Sequence, residues 1–242
     1  MPKVEAVAVE AEETAVPEVK VIASRAVLQK AMGFIEDANR QKIMEKIRLR
    51  IPKNRSVLVH GDYGVGKSTF VGQVVKELRL THTVVEVRPL GSVCQLLGEM
   101  CGVMDVEVWK KNKYLQTLCD HPRVIVIDEA QHLTPAIYPY LKLIMEAGNI
   151  VIFSGLTDLV DSLRAKHPDV LSRMVQLKLL PISLAEFKKA TPDFEEEAMD
   201  SIYGYSESAR VTIEMIEYCR DYAAEKGIEM ITANIADLFI ED

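Results

Sequence analysis

The chain has 242 residues, of which 48% are hydrophobic and 27% are charged, and its formal net charge at pH 7 is −7. This length and apolar content suit one large domain, with or without a small appendage, built around a sizeable core. The acidic balance argues against a uniformly basic protein that coats DNA. It does not exclude a local basic surface, because the attraction of a charged ligand depends on how the charge is distributed.

The sequence also disfavours a membrane-spanning segment, a secretory signal, a disulfide framework and a zinc site. Its longest apolar stretches are interrupted by charges well short of membrane-spanning length. Its first five residues are not a basic segment followed by an apolar core, so we expect no secretory signal. The four cysteines form no C-x-x-C pair, which disfavours a disulfide framework or a zinc site. We therefore expect reduced thiols and a cytoplasmic protein.

The beginning of the chain separates into an acidic tail and a basic helical region. Residues 1–20 carry several glutamates and show no apolar periodicity, which predicts a flexible tail. Helical spacing of apolar residues follows over residues 26–50, interrupted near Gly33 and ended by Pro52. Residues 25–55 hold nine basic side chains and three acidic ones, so charge is polarised along the chain.

Strand-like and helix-like segments alternate from Ser56 onward. Short runs of β-branched and apolar residues predict strands at 56–60, 83–87, 124–127, 150–153 and 175–179. Helical spacing predicts helices around 67–80, 92–103, 106–119, 135–147 and 157–164. This alternation predicts an α/β fold with a parallel sheet covered on both faces. After Pro181 only helical patterns remain, at 184–190, 194–203, 208–226 and 232–239, which predicts a small helical subdomain.

The most specific motif joins the first predicted strand to the helix after it. It fits G-x-x-x-x-G-K-[ST] without a mismatch and comprises Gly61, Asp62, Tyr63, Gly64, Val65, Gly66, Lys67, Ser68 and Thr69. In a strand–turn–helix context, backbone N–H groups and the helix dipole converge on a phosphate chain. Lys67 is then placed to reach the β- and γ-phosphates, and the Ser68 hydroxyl to bind Mg²⁺. The motif predicts that the protein binds a nucleoside triphosphate.

A second motif follows the predicted strand at 124–127. Asp128 and Glu129 come directly after this apolar run, and the carboxyl ends of parallel strands face the ligand crevice. Asp128 is therefore placed to hold Mg²⁺ through its water shell, and Glu129 to orient or deprotonate an attacking water. The alternative, a solvated turn that carries two acids, fits less well beside a phosphate-binding loop. Gln131 has no role that the sequence assigns.

Together these motifs resemble an AAA+ ATPase. The run from Ile127 to Leu133, Ile-Asp-Glu-Ala-Gln-His-Leu, is similar to the transposition-regulator branch, the group of phage Mu transposition protein B and the TniB-like proteins. The resemblance extends from about Arg40 to the C-terminus. It implies ATP and Mg²⁺ as cofactors, an AAA+ nucleotide-binding domain over residues 21–181 and a helical lid subdomain over 182–242.

The resemblance implies four further site residues. A polar sensor beside the γ-phosphate corresponds to Ser154 or Thr157, although Thr157 could instead cap the next helix. Arg173, in a Leu-Ser-Arg run like the Ser-Arg-Cys box of clamp loaders, corresponds to an arginine that enters the site of a neighbouring subunit. A surface salt bridge is the alternative for Arg173. Arg210 corresponds to the second sensor, although the residues before it depart from the usual pattern.

The resemblance also implies contact with duplex DNA. The run 109–114 places Lys110, Lys111 and Lys113 between Trp109 and Tyr114, and in the resembling family this insert touches the DNA backbone. Lysines there would give affinity that is independent of sequence and sensitive to salt. The alternative is an ordinary helix face with both aromatic residues in the core. The basic helix at 40–50 is a second candidate for DNA contact, although its apolar residues indicate that it also packs.

These observations lead to three hypotheses about function. In the first, an oligomerising AAA+ ATPase, a ring or a helical filament, binds DNA without sequence preference and delivers or selects target DNA for a transposase. In the second, the protein is a helicase or clamp loader of the replication type. In the third, it is a nucleotide-switched scaffold that does not bind nucleic acid.

Overall fold

The computed structural model describes residues 37–53, 55–87, 91–103 and 105–240. The predicted tail and the first part of the predicted basic helix lie outside the described residues. The first described helix, α1, spans Ala38–Arg50 and is capped by Asp37, whose carboxylate accepts a 2.8 Å hydrogen bond from the backbone N–H of Arg40. Ile43 and Ile47 on α1 are buried, so this helix packs on the domain as its apolar spacing indicates.

Five parallel strands form one sheet. They are β1 (Ser56–His60), β2 (His82–Glu86), β3 (Val124–Asp128), β4 (Ile150–Gly155) and β5 (Met174–Lys178). Their order across the sheet is β2-β3-β4-β1-β5, and every neighbouring pair is parallel. The predicted strands agree with these to within one or two residues, and the predicted α/β fold is confirmed.

Helices cover both faces of this sheet. Those connecting the strands are α2 (Lys67–Glu77), α3 (Val93–Met100), α4 (Lys111–Asp120), α5 (Tyr138–Glu146), α6 (Thr157–Lys166) and α7 (Pro168–Leu171). Because side chains alternate along a strand, Leu58 packs in the core that contains α3 to α7, while Val57 and Val59 pack in the core that contains α1 and α2. The short helix α7 is not evident from the sequence pattern.

Four helices after the sheet surround a core of their own. They are α8 (Leu184–Ala190), α9 (Glu196–Tyr205), α10 (Ala209–Lys226) and α11 (Ala233–Asp237). Phe187, Met199, Ile202 and Ile216 are completely buried there. The helical pattern after Pro181 therefore predicted the character of this region correctly.

This topology brings three loops together. The strands β3, β4 and β1 are adjacent in the sheet and parallel, so the segments that follow their carboxyl ends meet at one edge. We call this the carboxyl edge and the opposite side the amino edge. In the described part of the chain, no helix combines the length and the apolar character that crossing a membrane requires.

Candidate functional site

The loop after β1 has a backbone that requires glycine. Gly64 and Gly66 have φ angles of +70° and +83°, in the left-handed region that side chains disfavour. Gly66 stands at the N-cap of α2. A Cβ at Gly61 would lie 2.5 Å from the carbonyl oxygen of Leu179. The loop therefore wraps the N-terminus of a helix, where the first backbone N–H groups have no acceptor within the helix and attract an anion.

A buried arginine supports this loop from below. Arg40 is 2% exposed, and its Nη2 donates a 2.6 Å hydrogen bond to the carbonyl oxygen of Val65. Its Nη1 forms an ion pair with Asp37, which is 7% exposed. Arg40 begins the basic segment 40–50 that was the second candidate for DNA contact. Arg40 itself cannot make such a contact, because its guanidinium is enclosed and fixed to the loop backbone.

Lys67 lies over the same loop and near two acids. Its Nζ donates hydrogen bonds to the carbonyl oxygens of Gly61 at 3.1 Å and Asp62 at 2.7 Å. Burial lowers the pKa of Lys67, while Glu129 and Asp128 oppose this shift by their negative charge. The ammonium of Lys67 and the two carboxylates after β3 therefore belong to one site.

The acids at the end of β3 are held by neighbouring groups. Asp128 Oδ1 accepts a 3.0 Å hydrogen bond from the backbone N–H of Glu129, which has a left-handed φ of +53°. The amide of Gln131 donates a hydrogen bond to Glu129 Oε2 and accepts one of 3.3 Å from the backbone N–H of Leu156. Gln131 thus joins the acid after β3 to the turn after β4. No local pattern indicates this role, because Gln131 and Leu156 are 25 residues apart in the sequence.

Arg173 lies at the other edge of the sheet. It directly precedes β5, whose first residue Met174 pairs with Ser56 at the start of β1. A five-residue strand is about 15 Å long, so this position is about that far from the loop after β1. Arg173 forms an ion pair with Glu146, and the two side chains are 32% and 42% exposed. It lines a cavity of about 330 Å³ with two other basic residues, Lys53 and Arg55.

Comparison with known proteins agrees with this geometry. Residues 51–163 match the family model described as an AAA domain. The match covers the loop after β1 and the acids after β3, and it ends within α6. No curated protein matches the chain.

Solved structures with this fold include AAA+ proteins from several organisms. RuvB of Thermotoga maritima has a TM-score of 0.61 and 20% identity, with 84% of this chain and 69% of that chain covered. The ORC2 protein of Aeropyrum pernix, in its ADP form, has a TM-score of 0.63 and 15% identity, with 86% and 69% covered. The Aeropyrum pernix ORC1 protein, in complex with DNA, has a TM-score of 0.57 and 16% identity, with 82% and 63% covered. At these identities the likeness shows the fold: that of AAA+ ATPases.

The two residues predicted as the first sensor, Ser154 and Thr157, differ in their hydrogen-bond partners. Ser154 is 1% exposed, and its Oγ has no hydrogen-bond partner among the described residues. Thr157 Oγ1 donates to Asp62 Oδ1 at 3.4 Å, so it contacts the loop after β1. Leu156, and not Thr157, occupies the N-cap of α6, so the alternative role of Thr157 as the helix cap is wrong.

The helical subdomain contacts the loop after β1 through the start of α10. Ser208 caps this helix, and a Cβ at Gly64 would lie 2.4 Å from the Ser208 Cβ. The absence of a side chain at Gly64 therefore leaves room for Ser208 of the helical subdomain. The loop motif by itself does not reveal this contact. Arg210 follows two residues later and is exposed.

The residues present fit a nucleotide with Mg²⁺. The glycine-rich loop and the start of α2 form an anion cradle, and Lys67 adds a cation beside it. Ser68, which is exposed, and Asp128 provide one hydroxyl and one carboxylate oxygen. Mg²⁺ prefers oxygen ligands and commonly takes only one or two from the protein, with phosphates and waters completing its shell.

Of the lysines predicted to contact DNA, Lys110 ends the short 3₁₀ helix Val108–Lys110, and Lys111 and Lys113 lie in the first turn of α4. Lys110 forms an ion pair with Glu107, and Lys111 donates a 3.1 Å hydrogen bond to the Tyr140 hydroxyl. Lys113 is exposed. The alternative that placed both flanking aromatic residues in the core is wrong for one of them: Tyr114 is 6% exposed, whereas Trp109 is 77% exposed.

Proposed function

We propose that the protein is an oligomerising, ATP-dependent AAA+ ATPase that binds DNA without sequence preference and delivers or selects target DNA for a transposase. One observation carries the proposal: the phosphate-binding loop and Arg173 lie at opposite edges of one sheet. A chain built this way has the groups of a nucleotide cradle at one edge and Arg173 at the other.

Within one chain, the carboxyl edge supplies the groups for binding and hydrolysis. Bound ATP with Mg²⁺ supplies the phosphoryl group that is transferred to water. Lys67 stabilises negative charge on the phosphates, and Ser68 and Asp128 provide oxygen ligands for the metal. Glu129 orients a water and accepts its proton, with Gln131 fixing the position of the carboxylate. Thr157 and Arg210 serve as the first and second sensors.

Arg173 acts on the nucleotide of a second copy. Because it lies about 15 Å from its own phosphate-binding loop, it reaches a γ-phosphate only when the amino edge of one protomer meets the carboxyl edge of the next. Such contacts are head-to-tail and give a closed ring or a helical filament. Hydrolysis removes the group that bridges the two protomers and weakens the interface.

DNA binding is supported by the surface that carries Lys110, Lys111 and Lys113. Lys111 and Lys113 have no carboxylate partner among the described residues, so their charges are available to phosphates. The ORC1 structure shows that a protein of the same fold forms a complex with DNA. The transposase as recipient rests on the resemblance of residues 127–133.

The test is DNA binding by the purified protein at low salt, measured by fluorescence anisotropy of a labelled duplex. We expect binding with a slowly hydrolysed ATP analogue and much weaker binding without it. Replacing Lys110, Lys111 and Lys113 with alanine should reduce the slope of log affinity against log salt by about 0.9 for each lysine that contacts a phosphate. Binding that is indifferent to nucleotide would contradict the proposal.

A replication-type helicase or clamp loader is a second candidate. It is favoured by the Leu171-Ser172-Arg173 run and by the ORC proteins among the structures of the same fold. Copurification with a helicase instead of a transposase would support it. ATP turnover and assembly that both ignore added DNA would instead support a scaffold that does not bind nucleic acid.

A further inference from the structure

Trp109 is the most exposed large hydrophobic side chain in the described part of the chain, at 77%. It is also the chain's only tryptophan. Tryptophan has a large apolar surface that is normally buried or covered by a partner. The AAA+ fold and the nucleotide site do not require an aromatic ring at this position, so its exposure needs another explanation.

The backbone that carries Trp109 is firmly held. The N–H of Glu107 donates a 3.1 Å hydrogen bond to the hydroxyl of the buried Tyr114. Lys110 N–H donates to the carbonyl oxygen of Glu107 at 2.9 Å, closing the turn that contains Trp109. Val106 packs so closely on α3 that a Cβ at Gly98 would lie 2.4 Å from its Cγ2. The indole therefore projects from an ordered segment and loses little backbone entropy on binding.

The charges around Trp109 select the kind of partner. Residues 105–114 hold three lysines against Asp105 and Glu107, and Glu107 is paired with Lys110. The Lys110 ammonium lies 4.7 Å from the centre of the indole ring. Lys113 is exposed on the same short segment, with no ion pair in the part of the chain that the structure describes. An aromatic face with cations beside it suits a group that has a flat face and phosphates, namely a nucleotide within a strand.

The position of this segment connects it to the nucleotide site. α4 begins at Lys111 and ends shortly before β3, so it runs back from the carboxyl edge to the amino edge. The turn with Trp109 consequently lies at the carboxyl edge, where the phosphate-binding loop also lies. A ligand held by this turn would be on the side of the sheet where the nucleotide state changes.

We propose that Trp109 is a base-stacking anchor: its indole stacks on the face of an unpaired or unstacked nucleobase while Lys111 and Lys113 contact the adjacent phosphates. This inference rests on the proposed DNA binding and specifies its chemistry. Stacking on an aromatic ring tolerates any base, since every base has a π-face. The surface would thus bind a single strand or a locally opened duplex more tightly than an intact duplex.

The single tryptophan makes a direct test possible. Intrinsic fluorescence and its quenching by acrylamide are measured for the wild-type protein with the ATP analogue, alone, with a single-stranded oligonucleotide, and with the matching duplex. Labelled-DNA anisotropy is recorded on the same samples. We expect the single strand to quench the indole emission and to protect it from acrylamide, more strongly per bound DNA than the duplex does.

Substitutions then measure the contribution of the ring. Trp109→Ala should weaken single-strand binding about 5- to 150-fold, the range that corresponds to loss of one stacked base. Trp109→Phe should retain most of the affinity, whereas Trp109→Leu should behave like alanine. Tyr205→Ala, at a tyrosine of α9 that is 51% exposed, is the matched control and should leave the affinity unchanged.

The possible failures are distinguishable. If anisotropy shows DNA binding while the indole emission and acrylamide access stay constant, the stacking inference is overturned and the proposed DNA binding stands. If anisotropy shows no binding of either DNA, the proposed function itself fails. If the indole becomes protected with rising protein concentration and without DNA, Trp109 belongs to a contact between protomers, which also overturns the inference.

Discussion

The two edges of the sheet hold basic side chains in opposite ways. At the carboxyl edge, Lys67 is partly buried, bonded to the loop backbone and within the electrostatic influence of Asp128 and Glu129. At the amino edge, Arg173 forms an ion pair with the half-exposed Glu146 and donates a hydrogen bond to the carbonyl oxygen of Asp169, beside the exposed Lys53 and Arg55. The first arrangement brings a cation and two carboxylates together inside one chain, as the proposed nucleotide site requires. The second is a group of partly exposed cations, and we infer that it acts on a ligand held by another protomer.

The largest effect that tests this comparison is expected at Arg173. Arg173→Ala should lower kcat for ATP hydrolysis by about 10³ or more, the usual effect of removing such an arginine. Nucleotide affinity of the monomer should not change, because the residue is distant from its own loop. Phosphate release and isothermal titration calorimetry measure the two quantities. The matched control is Arg164→Ala, which removes another exposed, ion-paired arginine and should have little effect.

Mixing subunits tests whether Arg173 acts between protomers. Equal amounts of the Lys67→Ala and Arg173→Ala variants should regain roughly a quarter of wild-type activity, since one interface in four combines an intact loop with an intact arginine. Each variant alone should be nearly inactive. A mixture as inactive as its components would contradict the inference that Arg173 acts on the nucleotide of another protomer.

The next effect concerns the carboxyl edge alone. Lys67→Ala removes the cation that lies over the loop, and we expect nucleotide affinity to fall about 100-fold, or about 2.7 kcal/mol. Calorimetry with ATP at constant Mg²⁺ measures this change. Arg40 is fixed below the loop and cannot replace Lys67. Unchanged affinity would show that the loop backbone alone holds the phosphates.

A smaller change is expected at Gln131. Gln131→Ala should lower kcat about tenfold and leave nucleotide affinity unchanged, because the side chain positions Glu129 and does not contact the phosphates. Single-turnover hydrolysis together with calorimetry separates the two quantities. An increase in kcat would show that the hydrogen bond restrains Glu129 instead of positioning it.

The smallest effect belongs to the amino edge. Glu146→Gln keeps the shape of the side chain but removes the charge that pairs with Arg173. Exposed ion pairs contribute about 0.2–1 kcal/mol, so release of Arg173 should strengthen ATP-dependent assembly by about 1.5- to 5-fold. Sedimentation velocity over a range of protein concentrations measures the assembly constant. Asp161→Asn, which breaks the exposed pair with Arg164, is the control. Weaker assembly in Glu146→Gln would mean that Glu146 helps to hold the interface.

Local sequence was sufficient where a short run of residues determines its own geometry. The loop 61–69 contains its glycines, its lysine and the start of its helix within nine positions. Asp128 and Glu129 directly follow the apolar run of β3, so their place at the carboxyl end of this strand is also determined locally. Apolar runs likewise placed the five strands to within two residues, since burial on both faces of a parallel sheet leaves a continuous apolar signal.

Other features depended on residues that are far apart in the sequence. Arg40 and Val65, Gln131 and Leu156, and Ser208 and Gly64 meet only after folding. Helical spacing puts Arg40 on the packed face of α1, three and seven positions before the buried Ile43 and Ile47, but it does not reveal the contact with Val65. Trp109 also shows what a local pattern cannot predict. A core position was one of its two interpretations from the sequence, but its side chain is exposed at the surface.

By itself, the sequence determined that this chain has a glycine-rich loop of the phosphate-binding type, a pair of acids after an apolar strand, and an α/β sheet followed by helices. Each of these is specified by neighbouring residues, whose chemistry and periodicity are independent of the rest of the fold. Only the tertiary structure decided which cations are enclosed, which are exposed, and at which edge of the sheet each one lies. Those properties depend on the strand order β2-β3-β4-β1-β5, which is set by packing between distant segments and has no local signature.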